Sequence, residues 1–356
     1  MRVGIDVTPL LGDRTGIGNV VAGWYEGLSS RGDVDLVPFT VSGRDRSGAG
    51  VGAVSLPLPA GIAHRLWWAF DRPRSDGRLG HPDLVHGTNY LVPPSRSARL
   101  VSVYDLSFVH DPAAAGDQVA RFDRYVGRAI DRGAAVHTTS RHVAGELAER
   151  YGVSAHVVMP GLDAAPPVAG HASSEHGGPP TIVAIGTATR RKNFPLLVAA
   201  YSLVARQVPD VRLVIAGGDS DDSQNLRSAV AHLSPELSSR VELVGRVADT
   251  EPLYRRATVL AHPSSYEGFG IPVLEAMARG VPVVAAAGGA VPEVAGDAAD
   301  VVPVDDVDSL AAALVRVIDD DMHRAGLIDA GHQRAMAFSW ESSVAEMVDL
   351  YRAISG

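Results

Sequence analysis

Short runs of valine, isoleucine and leucine recur along this chain, and each is followed by a longer stretch with helical spacing. That alternation confines the fold to α/β with parallel sheets, because parallel strands need a crossover and a helix supplies it. In the first half the pattern predicts strands at 2–7, 34–39, 84–86, 99–103 and 135–138. It also predicts a helix over 17–30 and another ending near Tyr151, the second opened by Ser140 as its N-cap. Residues 164–180 break the pattern with four prolines, three glycines and no apolar period, so they read as a linker. The alternation then resumes, with strands expected at 181–185, 212–216, 241–244, 258–261, 281–285 and 300–303. A last helical spacing covers 340–354.

A length of 356 residues suits two domains, each large enough for its own core. The expected division is an acceptor-side domain over 1–165, a linker over 166–180 and a nucleotide-binding domain over 181–338. The tail 339–356 forms a helix able to return to the first domain. Both domains are Rossmann-like and face a central cleft, with ligands beyond the carboxyl ends of their strands. The net charge of -9 sets aside general nucleic-acid binding, which needs a basic surface to displace counterions. The absence of cysteine excludes disulfides, thiolate metal sites and cysteine nucleophiles. Asp6 interrupts the first apolar run too early for a secretory signal, and no run is long enough to span a bilayer. A cytoplasmic protein is expected, with peripheral contact at the inner face of a membrane left open.

The segment 262–280, His-Pro-Ser-Ser-Tyr-Glu-Gly-Phe-Gly-Ile-Pro-Val-Leu-Glu-Ala-Met-Ala-Arg-Gly, follows an expected strand and opens a helix. Gly268 and Gly270 allow a tight turn and close backbone approach. Pro272 suits the first helical turn. The amides of Phe269, Gly270 and Ile271 then form an anion site suited to a diphosphate. Glu275, one turn into the helix, can accept both hydrogen bonds of a ribose diol, and Glu267 faces whatever is attached beyond the phosphates. Two acidic residues that merely favour the helix dipole would account for one carboxylate, but not for the glycines and proline around it. A glycosidase acid/base pair would need both carboxylates to flank one bond, and a carboxylate inside the helix fits a ribose clamp better.

In these residues the chain resembles the retaining glycosyltransferases of family 4, which have the two-domain GT-B fold. The pair Glu267-x7-Glu275 with Gly-Phe-Gly between them is that family's signature. Residues 280–284 and 291–297, and Gly-Thr-Ala-Thr-Arg-Arg-Lys-Asn over 186–193, extend the likeness over nearly the whole chain. The resemblance implies a nucleotide-sugar substrate, no cofactor and no metal, with Arg191 and Lys192 on the donor diphosphate. It also implies a backbone edge near Val247 for the base, and Gly16 and Gly18 of the first loop lying over the phosphates. Its mannosyltransferase branch makes GDP-mannose the first donor to consider, and the acceptor a glycan, lipid-linked or small molecule. In the family block where a histidine touches the transferred sugar, this chain has Tyr104, followed by Asp105. His86, Asn89 and His110 are further candidates for sugar or acceptor contact. The acidic run 219–222 is expected to cap a helix. Residues 64–74, aromatics among arginines, fit a core helix with Trp67 and Phe70 inward, or else an acceptor or membrane face. Two other classes share these motifs: a sugar-nucleotide-binding subunit without turnover, and a GT-B epimerase that needs no acceptor.

Overall fold

The computed structural model describes residues 1–12, 16–41, 52–56, 58–110, 121–163 and 178–356. Two compact units emerge, one of Met1–Asp163 with Phe338–Gly356, the other of Ala164–Ala337. Most of the expected linker, 166–177, lies outside the described residues.

Unit 1 is a seven-stranded, wholly parallel sheet: β1 Arg2–Asp6, β2 Asp35–Thr40, β3 Val54–Ser55, β4 Leu84–Gly87, β5 Ala98–Ser102, β6 Ala135–Thr138 and β7 His156–Val157. Its order is β3-β2-β1-β4-β5-β6-β7, so the winding reverses between β1 and β4. Their register sets Val3 beside Leu84 and Ile5 beside His86. Residues of β1 and β4 are buried because helices cover both faces, as parallel sheets require.

The C-terminal helix Trp340–Ser355 belongs to unit 1 and packs on helix Gly16–Ser29. Two glycines make that approach possible. A Cβ on Gly23 would stand 2.1 Å from the Trp340 ring, and one on Gly27 would stand 2.4 Å from Val344. Ser339 caps the helix through the Ser342 amide. Trp24 donates from Nε1 to Ser343 Oγ at 2.8 Å, and Ser343 donates to the Met159 carbonyl at 2.6 Å.

Unit 2 holds a second parallel sheet: β8 Thr181–Ile185, β9 Arg212–Ala216, β10 Val241–Gly245, β11 Val259–His262, β12 Val283–Ala286 and β13 Asp300–Val302. The order β10-β9-β8-β11-β12-β13 reverses between β8 and β11. Helices Phe194–Val204 and Val307–Asp319 bury Leu197, Tyr201, Leu310 and Leu314 against it. Among the described residues no helix is long and apolar enough to cross a membrane.

Candidate functional site

In doubly wound sheets ligands bind beyond the carboxyl ends of the strands where the order reverses. In unit 2 that place lies between the ends of β8 and β11. After β8 the chain passes through Gly186 into the 3₁₀ turn Arg190–Lys192. A Cβ on Gly186 would stand 2.9 Å from Lys192 Cε, so the glycine leaves room for the lysine to lie across it. After β11 the loop 263–270 runs to helix Ile271–Ala278. The two connections are tied by the Ser265 amide, which donates to the Arg191 carbonyl at 2.8 Å.

Glu267 sits at the centre of this crossing. Its Oε2 accepts from Arg191 Nη1 at 2.8 Å and its Oε1 from Lys192 Nζ at 2.5 Å. His262 Nε2 stands 3.3 Å from Oε1. Burial alone would raise the Glu267 carboxyl, but Lys192 and Arg191 drive it well below the usual carboxylate range. Burial, set against the pull of Glu267, holds His262 below its ordinary value. The cluster therefore carries a fixed carboxylate beside two cations. Its backbone is locked from behind: Ala290 N–H donates to the Glu267 carbonyl at 2.8 Å. A Cβ on Gly289 would come within 2.2 Å of that carbonyl oxygen.

The helix that follows begins at a left-handed Gly270 (φ 100°), and no side chain caps it. Only glycine adopts that turn readily. Pro272 lies in the first turn, and Phe269 packs its ring inward. Glu275 is half-buried and accepts from the Tyr254 hydroxyl at 2.8 Å. Burial and the Glu275 charge push the Tyr254 hydroxyl well above its ordinary value, so it stays a donor. Val247 lies two residues past the edge strand β10. The structure thus gathers Arg191, Lys192, Glu267 and the Gly270–Ile271 turn. It also adds His262, the first residue of the segment singled out above but given no role there.

The candidates of unit 1 fare differently. His86 is fully buried, with Nδ1 at 2.7 Å from the Tyr351 hydroxyl and Nε2 at 2.7 Å from Ser102 Oγ. Both ring nitrogens are satisfied inside the unit, so His86 is corrected from a sugar contact to a core residue. Tyr104 is also buried, stacked on Trp24 with centroids 6.5 Å apart, and does not present a hydroxyl at the surface. Asp105 accepts from the Ser107 amide at 3.1 Å and the Ser107 hydroxyl at 2.8 Å, which caps the short helix Ser107–His110. His110 is exposed and pairs with Glu146 at 2.6 Å. Gly16 is exposed and Gly18 buried in the first turn of their helix, while residues 13–15 of that loop lie outside the described residues. Two further expectations need correction. Asp222 precedes helix Ser223–Ala231 without a capping bond; its carboxylate accepts from Asn225 instead. Trp67 is buried but Phe70, the last residue of helix Ala60–Phe70, is 68% exposed, because the chain turns away at Asp71.

At the reversal between β1 and β4, unit 1 has a cavity of about 490 Å³. Asp6 lines it from the end of β1, Thr8 from the 3₁₀ turn that follows, Asn89 from just past β4, and Trp67 and Arg65 from helix Ala60–Phe70. Arg121, Phe122 and Tyr125 line it as well. Asp6 had entered the sequence reading only as an interruption of an apolar run. An acid at the carboxyl end of the first strand was the signal available.

Two parallel sheets, each with one reversal in its strand order, make up the two-domain GT-B fold. The chain belongs to the group 1 glycosyltransferases. The family described as "Glycosyl transferases group 1" matches residues 179–320. D-inositol 3-phosphate glycosyltransferase of Xylanimonas cellulosilytica is 31% identical over 312 residues, 76% of this chain and 72% of that one. Phosphatidyl-myo-inositol mannosyltransferase of Mycolicibacterium smegmatis is 36% identical over 172 residues, 47% of this chain and 43% of the relative. For that protein and for two other relatives, the match covers less than half of the relative's length. The Anabaena protein HepE, solved with UDP-glucose, has the same fold, with a TM-score of 0.75, 17% identity, and coverage of 99% of this chain and 100% of that one.

Proposed function

We propose that the protein transfers a hexose, with retention at the anomeric carbon, from a nucleoside diphosphate sugar held by unit 2 to a hydroxyl of an acceptor held by unit 1. The acceptor is a glycan, a lipid-linked or a small molecule. The observation that carries this reading is Glu267, clasped by Arg191 and Lys192 beside a helix start that no side chain caps. Two cations and a helix N-terminus suit a diphosphate whose charge grows as it leaves, usually the largest electrostatic contribution in such chemistry. Glu267 stays ionised, so it orients cations and sugar hydroxyls and donates no proton. Glu275 takes the ribose diol, and the backbone near Val247 takes the base. The leaving phosphate itself receives the acceptor proton. This reading needs no metal and no cofactor, because the side chains supply the charge.

GDP-mannose is the first donor to test, since the M. smegmatis relative is a mannosyltransferase. UDP-glucose is the second, since HepE was solved with it. Exposed Ile62, Trp68 and Phe70 support peripheral contact of unit 1 with a membrane carrying the acceptor. The deciding experiment is a panel of GDP-, UDP- and dTDP-hexoses, scored for binding, hydrolysis and transfer, with Glu267→Ala alongside. One donor should bind to the native chain and be lost in the variant. Failure of all donors to bind, or a variant equal to the native chain, would end this reading.

A further inference from the structure

His262 ends β11 against the Glu267 cluster, where the cations already occupy the carboxylate. It is 2% exposed, and its Nε2 stands 3.3 Å from Glu267 Oε1 without the alignment of a hydrogen bond. The closer contacts belong to Lys192 at 2.5 Å and Arg191 at 2.8 Å. The charges that bear on His262 are Glu267 from its own loop, and Lys192 and Arg191 from the 3₁₀ turn after β8. Burial first, then the two cations, hold the imidazole below its ordinary value against the pull of Glu267, so it is neutral at neutral pH. A buried polar nitrogen left unaligned beside a carboxylate is costly, and a second arrangement of the cluster would use it.

A donor diphosphate supplies the reason for one. The free cluster has one positive charge in excess, from two cations, one carboxylate and a neutral imidazole. The diphosphate of a nucleotide sugar brings two negative charges, and to hold it Arg191 and Lys192 must turn from Glu267 toward the Gly270–Ile271 turn. Arg191, 34% exposed along its side chain, has room to do so. Glu267 is then a buried carboxylate drained of its cations, which is strongly unfavourable unless another donor replaces them. Among the described residues, His262 is the remaining titratable group that acts on it. We propose that His262 is a positioning residue for the transfer, taking over Glu267 when the donor draws Arg191 and Lys192 onto its phosphates. To do so the imidazole takes one proton from solvent and donates a charged hydrogen bond to Oε1, which brings the loaded cluster to neutrality. Glu267 stays ionised and fixed, ready to accept from sugar hydroxyls. The proposal rests on the transferase reading above and adds a coupling to it: the loaded site holds one more proton than the free site, so donor affinity rises as pH falls.

The test titrates GDP-mannose, UDP-glucose and dTDP-glucose into the full chain by calorimetry, in buffers of different ionisation enthalpy, so that protons exchanged on binding are counted. The diphosphate of a nucleotide sugar has no group that titrates near neutral pH, so a proton taken up there belongs to the protein. The native chain should take up about half to one proton per donor bound, and bind on the order of tenfold more tightly at about pH 6 than at about pH 8. His262→Gln keeps a polar side chain that cannot charge. It should bind without proton uptake, match the native chain at the higher pH and fall behind it at the lower; a merely structural loss would weaken binding equally at both. Donor binding without proton uptake by the native chain, or uptake and slope retained in His262→Gln, would overturn the proposal and leave the transferase reading standing. The native proton count needs no variant, so it decides even where His262→Gln does not fold. Failure of all three donors to bind would end the transferase reading, and this proposal with it.

Discussion

Replacing Asp6 by asparagine should make unit 1 more stable at neutral pH, and only there. Burial raises the Asp6 carboxyl from 3.8 to about 6, against the two Thr8 hydrogen bonds that pull it down. The folded state therefore holds its proton more tightly than the unfolded chain. Stability from this group is fully present below about pH 3.8 and is lost as pH rises through about 6. At about 1.4 kcal/mol per pH unit, ionised Asp6 costs unit 1 on the order of 3 kcal/mol above that window. Asparagine carries no charge to desolvate and keeps the oxygen that Thr8 uses. For a unit of this size the gain corresponds to a midpoint about 6–12 °C higher at pH 7.5, shrinking to almost nothing near pH 4. The assay is thermal unfolding followed by tryptophan fluorescence. All four tryptophans (Trp24, Trp67, Trp68 and Trp340) lie in unit 1, so the signal reports that unit alone. Equal gains at pH 4 and pH 7.5, or no gain at the higher value, would show that desolvation of Asp6 is not what costs the stability. A protein that keeps such a penalty gains elsewhere.

Five other variants test the geometry. Lys192→Ala breaks a buried ion pair and should cost unit 2 about 3–5 kcal/mol, read by urea unfolding and circular dichroism. Because Glu267 is held low, its contribution is present above the ordinary carboxylate range and is lost as pH falls through the lowered value. The same substitution should therefore move the acid limb of unfolding to higher pH, and an unmoved limb would refute the role of Lys192. Glu275→Ala should weaken GDP at least tenfold while leaving pyrophosphate affinity intact, and equal losses for both would remove the ribose role. Gly23→Ala forces a methyl into Trp340, and Tyr351→Phe leaves a buried His86 nitrogen unpaired; each should cost about 1–3 kcal/mol in the fluorescence assay. Trp68→Ser with Phe70→Ser should reduce cosedimentation with anionic phospholipid vesicles; unchanged binding would remove the membrane face.

Most strand positions were legible because parallel strands covered on both faces read as unbroken apolar runs, so β1, β6, β8 and β9 stand within a residue of their expected bounds. The two-residue strands β3 and β7 are too short to leave a pattern. The cluster around Glu267 was legible because glycine, proline and carboxylate spacing encodes a turn, and a turn at a strand end has few uses. His86 and Tyr104 were misjudged for the converse reason. In a strand buried on both faces, as around His86, alternation does not reveal which side chain meets a ligand and which meets the core; Tyr104 lies two residues past β5, where no alternation is left to read. The partner that claims His86 is Tyr351, 265 residues away. Asp6 escaped notice because its one signal, an acid at the carboxyl end of the first strand, reads equally as a break in an apolar run.

Unit 2 is one unbroken stretch of chain, whereas unit 1 needs residues from both sides of it. During synthesis the unit begun first is therefore completed second. Until residues near 355 have emerged, a seam along helix Gly16–Ser29 stays open, with Trp24 Nε1 and His86 Nδ1 waiting for Ser343 and Tyr351. A nascent chain stalled or cut near 338 would carry a finished unit 2 beside an unsealed unit 1. Quality control that recognises exposed apolar seams would find its target in the half of the molecule made earliest.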